Sequence, residues 1–119
     1  MPKTFEVVAY RGKLTNASAF ADRLRDRGEI TTQDKLDDAS VALYSVKTMD
    51  YRKSDIRDGL TGIGKGEVVV IKKSDLTALG GTIARDAQTN FPNHALLSDI
   101  DAEDCFKAFK KSGVHIDYA

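Results

Sequence analysis

A single cysteine, no net charge and no long apolar run set the first limits on this 119-residue chain. Cys105 alone excludes an intrachain disulfide framework and any multi-cysteine zinc site. Lys+Arg 18 balance Asp+Glu 18, so no global field draws in DNA, RNA or anionic lipid. The longest aliphatic run is Val68 to Ile71, far short of the ~20 apolar residues that span a membrane. At the N-terminus Lys3, Thr4 and Glu6 interrupt the apolar residues, so no signal-peptide core is expected and a reducing, cytoplasmic location is the default. The length supports one domain over residues 1–119.

What is present is hydrophobic patterning that switches between period two and a period near 3.6. Lys3 to Tyr10 reads as a strand apolar on both faces. Asn16 caps a helix running through Arg27, with Ala17, Phe20, Ala21 and Leu24 as its buried stripe and Gly28 as its left-handed stop. Glu29 to Asp38 is too short for a helical crossover and reads as a loop or an edge piece pairing antiparallel. Ser40 to Val46 is a strand, Tyr51 to Leu60 a short helix, and Glu67 to Lys72 the most continuously apolar strand, hence central. Ser74-Asp75 caps a helix with the stripe Leu76, Leu79, Ile83 and Ala87, weakened at Gly80-Gly81. Ala95 to Leu97 reads as a short strand or connector, and Asp101 to Lys111 as a helix burying Ala102, Cys105, Phe106 and Phe109. Val114 to Tyr118 alternates as an edge strand.

The order β-α-β-α-β-α-β-α-β predicts an α/β fold: one three-layer domain with a mostly parallel five-stranded sheet and helices on both faces. A flavodoxin-like strand order 2-1-3-4-5 fits, with the fifth strand at an edge.

Candidate chemistry is sparse. Gly59 to Gly66 contains G-x(4)-G-K, but Gly66 stands where a phosphate loop needs Ser or Thr, and the segment leads into a strand rather than a helix. A flexible connection with Lys65 in solvent is expected instead. Cys105, on an apolar helical stripe, reads as a core thiol. His94 reads as a loop histidine and His115 as one on a wet strand face; neither has a second ligand at metal spacing, so no metal site is expected. Acids opening the last helix and lysines closing it match the helix dipole, or form a docking face.

In a parallel sheet, function sits beyond the carboxyl ends of the strands. That rule selects Tyr10-Arg11-Gly12-Lys13, Lys47-Thr48-Met49-Asp50-Tyr51, Lys73-Ser74-Asp75 and Ser98-Asp99.

Two segments resemble the TIR (Toll/interleukin-receptor) domain. Phe5 to Lys13, followed by Phe20 to Leu24 and Gly28, is similar to that family's first strand and helix. Asp37 to Ser45, then Tyr51 and Ser54, is similar to its third strand and the start of the next helix. Enzymes of the family that cleave NAD carry a glutamate before a leucine or phenylalanine in that helix; here Gly59 precedes Leu60, with Asp58 beside it. The resemblance implies a TIR-like, non-catalytic relative that docks on other proteins.

The expected function is a small protein-interaction or regulatory module without catalysis of its own, contacting another protein through Tyr10, Arg11, Lys13, Asp50, Tyr51, Arg52 and Ser54. The competing expectation is an enzyme handling NAD or another nucleotide at the same edge, with Asp58 or Asp50 as its acid. Neither a membrane nor a nucleic acid is an expected partner, and a homo-oligomer stays open.

Overall fold

The computed structural model describes residues 4–48, 59, 60, 62, 63 and 66–118. Their strands are β1 (Phe5–Arg11), β2 (Ala39–Val46), β3 (Gly66–Lys72), β4 (Thr82–Arg85), β5 (His94–Ser98) and β6 (Val114–Tyr118). They form one six-stranded sheet in the order β4-β5-β2-β1-β3-β6. Every pairing is antiparallel, with Phe5 opposite Val46, Val7 opposite Lys72, Ala42 opposite His94, Val69 opposite His115 and Ile83 opposite Leu97.

This overturns the mostly parallel, flavodoxin-like sheet and the TIR-like architecture that depends on it. Strands one, two and three are adjacent as expected, with β1 between β2 and β3. The Ala95 to Leu97 strand, however, joins the far side of β2, and Glu67 to Lys72 lies one strand from the edge rather than at the centre.

The reversal of polarity traces to helix α1 (Ala17–Arg27). Its ends form as the sequence dictates: the Asn16 side chain accepts the Ala19 N–H, and Gly28 takes the left-handed conformation at φ 69°. The helix does not run back along β1, as a parallel crossover would. It stays at the end of the sheet where β1 finishes. Tyr10, near that end, meets Phe20 edge-on at 5.5 Å, and Glu29, just beyond the helix, accepts the Ser40 N–H near the start of β2 at 3.0 Å. β2 therefore starts where β1 stops and runs the other way. Glu29 to Asp38 is a turn pinned by isolated bridges, Ile30 to Leu36 and Lys35 to Asp101.

The remaining described helices are α2 (Lys73–Thr77) and α3 (Ala102–Ser112). The expected helix through Ala87 stops within two turns. Gly80 adopts φ 92°, and beyond it Thr82–Arg85 extends as β4, carrying Ile83 into the sheet. Asp101 caps α3 by accepting the Glu103 and Asp104 N–H groups. The expected Tyr51 to Leu60 helix lies outside the described residues except for Gly59 and Leu60.

The alternating side chains of β1 divide two apolar clusters. Val8 and Tyr10 face Phe20 and Leu24 of α1, Leu76 of α2, and Ala102, Cys105 and Phe109 of α3. Val7 and Ala9 face the other way, into Ala42, Tyr44, Leu60, Ile63, Val68 and Val70, with Phe91 and Ile116 packed at the margin. All three described helices lie on one face of the antiparallel sheet, so the described residues form an α+β arrangement. No described helix is long and apolar enough to cross a membrane.

Candidate functional site

Antiparallel pairing divides the four nominated segments between two ends of the sheet. Tyr10 to Lys13 and Ser98-Asp99 lie at one end. Lys47, Thr48 and Lys73 to Asp75 lie at the other, where Lys73 pairs with Glu6 at 3.3 Å. Asp50, Tyr51, Arg52, Ser54 and Asp58 lie outside the described residues. The single loop edge expected from the parallel sheet is therefore not formed.

Tyr10 is not a surface anchor. It is 1% exposed, its ring stacked on Phe109 at 5.6 Å and set edge-on to Phe20. Its hydroxyl is buried without a hydrogen-bond partner among the described residues. Arg23 lies beside it, off hydrogen-bond geometry. Burial raises the phenol's pKa above its usual 10.0, outweighing the pull of Arg27 and Arg23 toward the ionised form.

Arg11 and Lys13 are exposed and do share a site. Together with Gly12, Arg23, Arg27, Gly66 and Glu67 they line an open cleft of about 400 Å³. α1 supplies the other two cations, Arg23 and Arg27, neither of which belongs to its apolar stripe of Ala17, Phe20, Ala21 and Leu24. Because the helix crosses the end of β1, Arg23 folds over Gly12, where a β-carbon would overlap its guanidinium and crowd the Tyr10 ring. The missing side chain at residue 12 is what lets Arg23 reach the strand end. Lys13 and Arg27 form no ion pair among the described residues, and Glu67 is the only carboxylate lining this cleft. A second cleft of about 350 Å³ shares Gly12, Lys13 and Glu67 and extends to Lys110, His115 and Asp117. A chain with no net charge thus concentrates positive charge at one concave place. Such an arrangement favours an anion electrostatically, and the residues lining this cleft include no paired acid and base.

Cys105 is fully buried in the helix-face cluster, and burial pushes its thiol pKa up, which keeps it protonated and inert. His115 is exposed on β6, as its alternation indicates. No group of metal-ligating side chains able to hold an ion is present among the described residues.

His94 departs from expectation. It is the first residue of β5, 8% exposed, and bonded on both ring nitrogens, to Ser40 and to Asp86. Its partners are 54 and 8 residues away in the chain. Only strand register connects them, so no local motif announces the trio.

The fold and cleft define a small α+β domain with a basic concave surface at one sheet end. Comparisons with protein-family models, with curated proteins and with solved structures return no match.

Proposed function

We propose that this protein is an interaction module that captures an acidic segment of a partner protein in the cleft between β1 and α1. The carrying observation is the convergence of Arg11, Lys13, Arg23 and Arg27 on one cleft, with Lys13 and Arg27 unpaired among the described residues. Rim cations of this kind set partner choice and association rate, and their effect weakens with salt. The open cleft suits an extended side-chain carboxylate run better than an enclosed small molecule.

Fluorescence polarisation with a labelled Glu/Ser peptide and its Gln/Ser counterpart tests this reading. Binding of the acidic peptide alone is expected, weakening as salt rises. A Lys13→Glu, Arg27→Glu double variant should lose at least about tenfold in affinity while keeping its melting temperature. Equal binding by the folded double variant removes the cleft from consideration. Retention of single-stranded DNA in place of the peptide overturns the partner class.

A further inference from the structure

The sheet face opposite the helices carries a polar row that the cleft does not use. β2, β5 and β4 are successive neighbours, and a residue of β2, a residue of β5 and the residue that follows β4 meet on this face. His94 stands opposite Ala42, so Ser40, two residues back along β2, is its diagonal neighbour. The Asp86 N–H donates to the His94 carbonyl at 2.8 Å, extending the β4–β5 ladder one residue beyond Arg85 and setting Asp86 across from His94.

The side chains complete a chain of hydrogen bonds. Ser40 Oγ lies 2.7 Å from His94 Nε2, and His94 Nδ1 lies 3.0 Å from Asp86 Oδ2. The Asp86 carbonyl oxygen is also 3.2 Å from Nδ1. Two acceptors at Nδ1 hold a proton there. In the neutral ring, Nε2 then carries the lone pair and accepts the Ser40 hydroxyl proton. The Phe91 ring, edge-on at 5.0 Å, fixes the imidazole plane, while Ser40 itself is exposed. Nucleophile, base and orienting carboxylate therefore stand in the relation that activates a serine, with the imidazole buried between an exposed hydroxyl and an exposed carboxylate.

We propose that Ser40 is an activated nucleophile that accepts an acyl group from small activated esters, with His94 as its base and Asp86 as the positioning residue. Ser40 Oγ bonds to the ester carbonyl carbon as its proton passes to His94 Nε2. The carbon–oxygen bond to the leaving group then breaks, and Nε2 returns the proton to the departing oxygen. Water attacking the acylated Ser40, with Nε2 again taking and returning the proton, restores the hydroxyl and releases a carboxylic acid.

One neighbour limits the reaction. The Ser40 N–H, a natural donor to the developing oxyanion, donates instead to Glu29 Oε2 at 3.0 Å. General-base activation alone contributes about 10²–10⁴-fold, so donors with good leaving groups are the substrates this site can serve.

The test is p-nitrophenyl acetate added to the folded protein, with the acetylated residues mapped by peptide mass spectrometry. Ser40 is expected to acetylate at least about tenfold faster than the exposed Ser18 of the same molecule, with the rate followed as a pH profile. Asp86→Asn should slow Ser40 labelling at least about tenfold and disturb that pH profile, with melting temperature as the folding control. Labelling of Ser40 no faster than Ser18, or an unchanged rate and pH profile in folded Asp86→Asn, overturns the proposal.

Discussion

Gly59 backs onto the ring of Tyr44 so closely that a β-carbon at residue 59 would overlap Cγ, Cδ2 and Cε2 of that ring. The Gly59 carbonyl is held in turn by the Asn93 side chain, whose Nδ2 donates to it at 3.1 Å. The glycine-rich run that resembles a phosphate loop in spacing is at this point a packing surface for the second sheet face.

Gly59→Ala should therefore destabilise by about 1–3 kcal/mol, the usual cost of overpacking a closed site. Gly28 is the control. It has φ 69° with nothing near its missing β-carbon, so Gly28→Ala carries only backbone strain of about 1 kcal/mol. Urea unfolding of both variants checks the order; a smaller loss at Gly59 than at Gly28 contradicts the close packing.

Tyr10→Phe removes a buried hydroxyl that has no hydrogen-bond partner among the described residues. Near neutral pH the variant should be as stable as the parent or slightly more so. In strong alkali the two should separate. The folded-state pKa is raised above 10.0, so the phenol binds its proton more tightly when folded. Its contribution is complete below pH 10 and is lost as pH rises through the folded value. The phenylalanine variant should lose less stability than the parent between about pH 9 and pH 11, as read by denaturant unfolding at the two pH values.

Cys105 should be silent to thiol reagents in the native protein. It is fully buried and its pKa is raised by desolvation, so modification must wait for opening of the helix face. The rate with Ellman's reagent should climb with sub-denaturing urea. Cys105→Ser should cost more than Cys105→Ala, because it buries a hydroxyl in an apolar cluster. Rapid native labelling would count against that burial.

Asp101 gathers the Glu103 and Asp104 N–H groups at the start of α3. Asp101→Ala should cost about 1 kcal/mol and Asp101→Asn much less, since the amide oxygen still accepts. Thermal melts of the pair separate capping from a purely electrostatic role, in which asparagine would fare as badly as alanine.

Local features were legible in the residues. Asn16 and Gly28 bound α1, Asp101 and Gly113 flank α3, and β1 reads correctly as covered on both faces. Strand direction was not legible. It depends on α1 lying across the end of β1, set by the packing of Phe20 and Leu24 on Tyr10 and Phe109, which periodicity cannot express. The same helix placement carries Arg23 and Arg27 to Arg11 and Lys13, so half of the cleft's cations were hidden within an ordinary charged helix face. Tyr10 was misread for a related reason: its alternation fits either face, and the ring points into the helix layer. β4 was missed because Leu76, Leu79, Ile83 and Ala87 keep helical spacing across a chain reversal at Gly80.

The sheet acts as a partition between two apolar clusters, and Val7 and Val8 lie on opposite sides of it. Residues joined by one peptide bond thus draw their stability from separate sets of partners. Shortening both side chains should cost nearly the sum of the single losses, whereas Val8 and the distant Phe109 share a cluster and should depart from additivity. Energetic neighbourhood in this protein follows the face of the sheet, not the order of the chain.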